Sequence, residues 1–366
     1  MHAHMGSASA MKIYAAVINI LLLVVAFVFA NSSVTATSSA ASASAAGDVS
    51  STSMDMSTAV VIGVDQSGKG DFKKIQDAID SVPSNNSGLV VIWVKPGTYR
   101  EKVVVPADKP FITLSGTQPS NTIITSSDGG EIYETATFTV FATDFVGRFL
   151  TIQNTYGSAG KAVALRVSAD RAAFYSCTIK SYQDTLLDDI GNHYYSDCYI
   201  EGATDFIFGN AASLFEKCHV HTLYKRNGYP AQITAQHRES PSENTGFTFL
   251  GCKITGNGTA VLGRPWGAYS RVVYALTFIS SVVVPAGWDD WGDKTKHSTV
   301  FYGEYKNCGP GADRSKRVQW SRSLSNDEAA TFLTKDMIGG EDWLRPAPKS
   351  FKRGSATIAV KADGSN

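Results

Sequence analysis

Several short motifs that mark common enzyme classes or metal sites are missing from the 366 residues. No G-x-S-x-G segment is present, which α/β-hydrolases place at their nucleophile, and no H-E-x-x-H segment of zinc peptidases occurs. The five cysteines include no C-x-x-C pair, which argues against a zinc knuckle. The formal net charge is zero, which argues against an electrostatic grip on nucleic acid. The chemistry must therefore be sought in other residues.

Long apolar runs are also scarce, and the one that stands out lies at the N-terminus. Lys12 precedes an apolar run over residues 13–30, and small polar residues follow Ala30. This pattern predicts a secretory signal peptide over residues 1–30, cleaved after Ala30. An uncleaved membrane anchor is the alternative, because 18 residues are borderline for a span. The interruption at Asn19 and the soft polar segment that follows favour the signal peptide.

The predicted organisation after the signal peptide is a linker, one domain and a short tail. Residues 31–57 are nearly all small or polar and cannot bury enough surface to fold, so we expect a flexible linker. Residues 58–352 form the predicted domain, with 43% apolar residues in the chain to build its core, and residues 353–366 a tail. N-glycosylation sequons, which modestly support secretion, occur at Asn31, Asn85 and Asn257.

Four of the five cysteines lie in one repeated local pattern. Each is the fourth residue of a short alternating segment with aromatic or apolar ends, namely residues 174–179, 195–200, 215–220 and 249–254. Successive steps are 21, 20 and 34 residues, so the third step predicts an inserted loop over residues 223–236. The odd cysteine count leaves at least one thiol unpaired within a chain. A Cys218–Cys252 disulfide is plausible, but stacked cysteines on a β-helix can equally be reduced, so the pairing is open.

Short strands that recur about every 20 residues predict an all-β solenoid, the parallel β-helix. An antiparallel β-sandwich is the alternative. It is disfavoured because a sandwich does not require the same cysteine phase in successive strands.

Helical patterns near both ends of the domain predict short caps over the open solenoid ends. Apolar residues at helical spacing predict a helix over residues 71–82, stopped by Pro83. Ser325 and Glu328 form a predicted capping box ahead of a helical segment at residues 329–333.

The same repeat predicts that two acids align. Asp184 lies seven residues after Cys177, and Asp205 lies seven after Cys198. If the cysteines stack on adjacent coils, the two aspartates stack as well. Lys161, about one coil earlier, is expected to complete a row of three.

Two stacked carboxylates repel each other, so one is expected to hold a proton while the other is ionised. Gln183 would add an uncharged donor, and Arg264 is a candidate to keep the ionised member charged. The alternative is a solvated or salt-bridged surface pair without a function. The apolar residues of the segment 205–209 argue against it.

Other constellations are weaker. His219 and His221 alternate on a predicted strand, but no third ligand is apparent, so a metal site is not expected. Trp266, Trp288 and Trp291 could stack on sugar rings, although core packing is the default for any single tryptophan.

Five motifs, in order, resemble those of the plant-type pectin methylesterases, or pectinesterases. The resemblance covers roughly residues 58–352 and lacks the large N-terminal inhibitor-like pro-region of many members. It implies a right-handed parallel β-helix. The motifs are Gly97-Thr-Tyr-Arg-Glu101, Ala162-Val-Ala-Leu165, Tyr182-Gln-Asp-Thr-Leu186, Asp205-Phe-Ile-Phe-Gly209 and Leu262-Gly-Arg-Pro-Trp266.

Roles follow from the resemblance by matched position. Asp205 would be the nucleophile on the methyl ester, and Asp184 the acid that protonates methanol and then the base for water. Gln183 would stabilise the oxyanion, and Arg264 would hold Asp205 ionised. The resemblance also implies sugar-binding residues and no metal or organic cofactor; those residues are Phe208, Trp266 and Trp288.

Two positions depart from the family pattern. Lys161 stands where the family usually has a glutamine that donates to the oxyanion, so it could replace that donor, or pair with Asp184 and weaken the acid. Leu187 stands where an aromatic residue is common, and one stacking contact would be lost.

The resemblance implies a secreted, monomeric enzyme of the cell wall that acts on methyl-esterified homogalacturonan. It allows for a proteinaceous pectinesterase inhibitor as a partner, and no nucleic acid or membrane is expected after signal cleavage. A β-helix enzyme that cuts the pectin chain is one alternative, since a retaining glycosidase also uses paired carboxylates. A pectin-binding or regulatory homologue without activity is the other, and Lys161 is the one feature that favours it.

Overall fold

The computed structural model describes residues 59–344. The predicted signal peptide, the linker at residues 31–57, the sequon at Asn31 and the tail at residues 353–366 lie outside the described residues. Within the described range, no helix combines the length and apolar character that a membrane crossing needs.

The described residues contain 26 strands in three sheets, and every strand pairing between them is parallel. Sheet A contains, in spatial order, β1 (Val60–Val64), β2 (Val90–Val94), β5 (Ile112–Ser115), β8 (Val146–Arg148), β11 (Ala172–Tyr175), β14 (Asn192–Ser196), β17 (Ala212–Glu216), β20 (Gly246–Leu250), β23 (Arg271–Ala275), β25 (Phe301–Tyr305) and β26 (Arg322–Ser323). Sheet B contains β3 (Gly97–Arg100), β6 (Thr122–Ser126), β9 (Thr151–Asn154), β12 (Thr178–Lys180), β15 (Tyr199–Gly202), β18 (His219–Thr222), β21 (Lys253–Gly256) and β24 (Phe278–Ile279). Sheet C contains β4 (Val103–Val105), β7 (Phe138–Val140), β10 (Leu165–Ser168), β13 (Leu186–Ile190), β16 (Ile207–Gly209), β19 (Ala231–Gln236) and β22 (Ala260–Gly263).

From β2 to β24 the chain visits sheets A, B and C in turn, and each new strand pairs with the strand one coil earlier. This is the predicted right-handed parallel β-helix. The predicted stacking of the repeats is also present, because Phe174, Tyr195, Phe215 and Phe249 are successive register partners in sheet A.

Each repeated cysteine segment is a bend between two sheets, and the prediction of one continuous strand was wrong. The first segment leaves sheet A after Tyr175 and enters sheet B at Thr178. The turn between them places Ser176 at φ 50°, and Lys217 adopts the same left-handed conformation two coils later, at φ 54°. The alternation of apolar and polar residues did not reveal the bend, because apolar side chains on both sides of the bend still point into the lumen.

Aromatic rings fill the lumen as a stack along the solenoid axis. Neighbouring rings from Phe174 to Tyr274 lie 4.5–5.3 Å apart and within 10° of parallel. Such pairs add roughly 0.5–1.5 kcal/mol each beyond the burial of their area.

The cysteines at the bends are free thiols, so Cys218 and Cys252 form no disulfide. Three of these thiols instead donate to a backbone carbonyl one coil earlier, Cys198 to Phe174, Cys218 to Tyr195 and Cys252 to Phe215. The described fifth cysteine, Cys308, is exposed.

The coil between β18 and β20 is longer than its neighbours, as the 34-residue spacing between Cys218 and Cys252 predicts. The inserted loop itself is shorter than expected. Residues 223–230 form the loop, whereas residues 231–236 are strand β19 of sheet C. A second loop, residues 237–245, supplies the rest of the extra length.

Short helices cover two different surfaces. The N-terminal helix α1 is Ile75–Asp80, shorter than predicted, and buries Ile75, Ala78 and Ile79 against the lumen core. The predicted capping box is present at α2 (Asn326–Ala329), where Ser325 and Glu328 exchange hydrogen bonds. The C-terminal helices, which include α3 (Gly340–Trp343), pack on the outer face of sheet A rather than over the solenoid end.

Candidate active site

The two aspartates occupy equivalent positions on adjacent coils. Leu186 pairs with Ile207 in sheet C, and Asp184 and Asp205 each lie two residues earlier. The Asp184 N–H donates to the carbonyl of Thr204 at 3.0 Å, so the backbones remain in register there. The backbones of these residues are therefore about one strand spacing, roughly 4.8 Å, apart.

The backbone at both aspartates is left-handed. Asp184 has φ 60° and Asp205 has φ 45°. Residues other than glycine rarely adopt such angles, which cost on the order of 1 kcal/mol and concentrate at functional sites. The bends lie just before β13 and β16, where the chain turns from sheet B into sheet C.

Both carboxylates are buried, with Asp184 6% exposed and Asp205 8% exposed. Burial, and after it the charge of Asp205, raises the pKa of Asp184 to about 7. Lys161, Arg264 and a hydrogen bond from Gln183 oppose this rise without cancelling it. Asp184 therefore holds its proton under conditions in which a free aspartate has lost it.

Arg264 forms a two-pronged ion pair with Asp205. Its Nε donates to Oδ1 at 2.7 Å, and its Nη2 donates to Oδ2 at 2.5 Å. Arg264 directly follows β22, and its N–H donates to Thr234 in the preceding coil, so the side chain reaches back across the sheet. The Trp291 ring packs on the guanidinium with its centre 3.7 Å from the Arg264 Cζ. This bidentate geometry belongs to an ionised carboxylate.

The predicted row of three is wrong at Lys161. The N–H of Ala162 donates to the carbonyl of Gln183 at 3.1 Å, just as the N–H of Asp184 donates to that of Thr204, so the register neighbour of Asp184 on the preceding coil is Ala162. Lys161 lies one residue earlier, exposed at the entrance to the coil, and affects Asp184 through its charge.

The row continues on the other side with a residue that the sequence analysis missed. Ile207 pairs with Thr234, which makes Gln232 the register neighbour of Asp205. Its side-chain Oε1 accepts a hydrogen bond from Lys225 Nζ at 2.9 Å. The sequence did not reveal this neighbour, because the coil that joins Asp205 to Gln232 contains the loop at residues 223–230 and is longer than the repeat.

Phe208 and Trp266 lie together on the outer face of sheet C, with ring centres 6.0 Å apart. Phe208 is buried and Trp266 half-buried. His237, another residue that the sequence analysis missed, stacks on Trp266 at 4.0 Å. Leu187 belongs to the same outward cluster, so an aliphatic side chain fills the place expected for an aromatic one.

Trp288 does not line this surface, and its assignment to substrate binding was wrong. It is 2% exposed, stacks on Tyr302 at 4.2 Å and donates to Glu304 at 3.3 Å. Its ring therefore points into the lumen as part of the aromatic core. Trp291, 42% exposed and packed over Arg264, is the tryptophan of this segment that faces outward.

His219 and His221 face the same side of sheet B, where both rings share a hydrogen-bond partner in the Thr255 hydroxyl. Residues 59–344 contain no group of three or more side chains placed to hold a metal ion.

A family model described as Pectinesterase matches residues 60–341. The chain belongs to the pectinesterase family. It is 67% identical over 305 residues to Putative pectinesterase 11 of Arabidopsis thaliana, covering 83% of this chain and 86% of the relative.

Solved pectin methylesterases share the fold. The carrot enzyme superposes with a TM-score of 0.75 at 37% identity, covering 78% of this chain and 94% of that one. A pectin methylesterase in complex with a hexasaccharide gives a TM-score of 0.66 at 26% identity, covering 80% of this chain and 99% of that one.

One of the five pectinesterase-like motifs has a structural role away from the aspartates. Glu101, the last residue of the first motif, accepts hydrogen bonds from the N–H groups of Ile75 and Gln76, both at 3.0 Å. Its carboxylate thus satisfies free donors at the start of α1, where negative charge is also favoured by the helix dipole.

Proposed function

We propose that this chain hydrolyses the methyl esters of pectin and releases methanol, with Asp205 as nucleophile and Asp184 as general acid and base. The observation that carries the proposal is the unequal pair of buried carboxylates. Asp205 is bound by Arg264 on both oxygens, whereas the pKa of Asp184 is raised to about 7. The pair therefore supplies one ionised and one protonated carboxyl group at pH values below about 7.

In the first half-reaction, an Asp205 carboxylate oxygen attacks the C6 carbonyl carbon of a methylated galacturonate. The carbonyl electron pair moves to oxygen, to which the Gln183 amide donates in this proposal. One such donor is often worth roughly 3 kcal/mol in the transition state. The tetrahedral species collapses to an anhydride with Asp205, and the departing methoxide takes the proton of Asp184 to leave as methanol.

In the second half-reaction, Asp184 is the carboxylate that the first step produced. It removes a proton from a water molecule, whose oxygen attacks the same C6 carbon. Collapse of this second tetrahedral species breaks the bond to Asp205 and leaves a galacturonic acid. Asp184 is then protonated and Asp205 ionised, as before the cycle, so the steps proposed need no metal or organic cofactor.

The substrate surface in this proposal is the outer face of sheet C. Phe208, Trp266 and Trp291 supply aromatic rings for the sugar faces. Lys161 is exposed beside Asp184 and available to the substrate.

Secretion to the cell wall accords with a pectin substrate and with the predicted signal peptide. We also propose that Asn85 and Asn257 are glycosylated, since both sequons are exposed. A monomeric state is a separate proposal. A proteinaceous inhibitor remains a proposed partner.

The experiment compares methanol release from highly methylated pectin by the wild type and by Asp205→Asn. Asparagine is preferable to alanine, because it tolerates the left-handed φ of 45° and keeps the shape of the side chain. Methanol from the wild type alone, without new reducing or unsaturated chain ends, is the expected result.

Chain ends without methanol would favour a chain-cleaving enzyme. Pectin binding without methanol from either protein would favour a regulatory homologue. Full activity of the Asp205→Asn variant would remove the nucleophile assignment.

A further inference from the structure

The bend at residues 181–185, which joins β12 to β13 and contains Asp184, is closed on a single carbonyl group of the next coil. The carbonyl of Glu201 accepts the N–H of Ser181 at 3.4 Å and the hydroxyl of Thr185 at 3.0 Å. These donors are the first and last residues of the bend. Both ends of the bend are therefore bound to the same oxygen atom.

The preceding coil binds the same bend from the other side. The Ser181 hydroxyl donates to the carbonyl of Ala162 at 2.6 Å, and the N–H of Ala162 donates to the carbonyl of Gln183 at 3.1 Å. Since Ala162 is the register neighbour of Asp184, both bonds act on the backbone beside the acid. Ser181 is buried and Thr185 is completely so, which keeps water away from both hydroxyl groups.

A glycine makes room for the Thr185 hydroxyl. A Cβ atom on Gly202, the residue after Glu201, would lie 2.7 Å from Thr185 Oγ1 and 2.3 Å from the Cβ of Phe206. Both distances are too short for atoms that are not bonded, so a side chain at residue 202 would displace the hydroxyl or the neighbouring ring. The close approach of Thr185 to the Glu201 carbonyl therefore requires glycine at this position.

The coil of the nucleophile has neither hydroxyl group. The register of sheet B makes Gly202 the counterpart of Ser181, and the register of sheet C makes Phe206 the counterpart of Thr185. The two hydroxyl bonds therefore belong to the bend of the acid and are not a feature of every coil.

The two aspartates are accordingly held in different ways. Arg264 holds the carboxylate of Asp205 by both oxygens. Asp184 forms no direct ion pair within residues 59–344, and its backbone has a left-handed φ of 60°. Such a conformation persists only where the surrounding structure enforces it, so the place of the acid depends on the bonds that fix its bend.

We propose that Thr185 and Ser181 are positioning residues, which hold the bend so that Asp184 stays in place as the acid. The inference rests on the proposed function, since it concerns how Asp184 serves that reaction. Neither hydroxyl contacts the substrate. Loss of either bond lets the bend relax from its left-handed conformation, which moves the carboxyl group away from the departing methanol and opens it to water.

The test measures methanol release from highly methylated pectin by the wild type, Thr185→Val and Thr185→Ser over a range of pH. Valine keeps the shape of the buried side chain but removes the hydroxyl, and should lower kcat about tenfold with KM unchanged. Serine keeps the hydroxyl and should restore kcat.

The pH–rate profile gives a readout that a merely structural role would not move. Burial is the main cause of the raised pKa of Asp184, so its alkaline limb should lie about one pH unit lower in Thr185→Val and return in Thr185→Ser. The charges that act on Asp184, those of Asp205, Lys161 and Arg264, are the same in every variant.

Thr137 offers a matched control two coils earlier. Its buried hydroxyl donates to the carbonyl of Gln153 at 3.0 Å, over the same separation of 16 residues as the bond from Thr185 to Glu201. Thr137→Val should lower the free energy of unfolding in urea as much as Thr185→Val does, and leave kcat and the pH–rate profile unchanged. Ser181→Ala should reproduce the kinetics of Thr185→Val, and provides the test if the valine variant does not fold.

Wild-type kcat and an unmoved alkaline limb in both Thr185→Val and Ser181→Ala would overturn the inference while methanol release still supported the esterase. An equal loss of kcat in Thr137→Val would overturn it as well, because the effect would then be one of general stability. A wild type that releases no methanol would overturn the proposed function itself, and the inference with it.

Discussion

The raised pKa of Asp184 predicts that this residue lowers the stability of the folded protein at neutral pH. Its pKa is about 7 in the folded chain against 3.8 for the ordinary group, mainly because it is buried. Since the folded state holds the proton more tightly, the free energy of unfolding is unaffected below about pH 4 and falls as the pH rises towards 7. About three pKa units at 1.36 kcal/mol each set a ceiling of about 4 kcal/mol.

Asp184→Asn removes this titration without removing the side-chain shape, and asparagine accepts the left-handed φ of 60°. The variant should therefore gain about 3 kcal/mol over the wild type between about pH 4 and pH 8, and lose its methanol release. Urea unfolding followed by fluorescence at the two pH values measures the difference. Asp108→Asn, at an exposed aspartate, is the matched control.

A second buried group also titrates, and the comparison of variants removes its contribution. Burial lowers the pKa of His193, but the charge and hydrogen bond of Asp188 outweigh that effect, so the pKa is raised. This contribution is common to the wild type and Asp184→Asn and cancels in their difference. A stability difference that stays the same at both pH values would refute a perturbed Asp184 and remove the support for its role as the acid.

Three further changes have distinct expected results. Lys161→Gln should shift the alkaline limb of the pH–rate profile to higher pH, because Lys161 lowers the pKa of Asp184. A limb at the wild-type pH would contradict this electrostatic coupling. Arg264→Lys should reduce kcat/KM about 100-fold, since an ammonium cannot hold both oxygens of Asp205; wild-type kinetics would show that the bidentate pair is unimportant. Trp288→Ala should cost about 3–5 kcal/mol of unfolding free energy and leave KM unchanged; a raised KM would restore its place in the cleft.

The alignment of the aspartates could be predicted because the coil between them is short. Asp184 and Asp205 are 21 residues apart, which equals the register offset between β13 and β16. In a coil without an insertion, the position of the cysteine at the bend determines which later residues of that coil stack on those of the next coil. The fold was predictable for the same reason, since stacked aromatic and cysteine positions leave a visible period in the sequence.

The sequence analysis assigned positions wrongly where coils differ in length. It also could not tell whether a side chain points into the lumen or to the outer surface. Lys161 was placed in the row by a count of about one coil, but a difference of one residue puts Ala162 there instead. Gln232 was invisible because an inserted loop lies between it and Asp205. Trp288 and Trp291 are three residues apart, and the sequence does not say which one points inward.

Burial alone does not distinguish a reactive carboxylate from a structural one in this solenoid. Asp188, on strand β13 four residues after Asp184, is more deeply buried than Asp184, at 0% exposure. It accepts hydrogen bonds from His193 and from the hydroxyl groups of Tyr195 and Ser213.

The second ring nitrogen of His193 meets the carbonyl of Ala169 at 2.7 Å, so both nitrogens face acceptors and the ring is charged. Asp188 thus has an internal cation and a full set of donors, which is the condition under which a buried charge is tolerated. Asp184 has neither: Lys161, the cation that acts on it most strongly, is exposed, Arg264 is bound to Asp205, and among the described residues the side-chain hydrogen bond to it comes from Gln183. A buried carboxyl group in that position lowers its free energy by keeping a proton, and a proton held up to about pH 7 next to an ionised carboxylate is what the proposed ester cleavage requires.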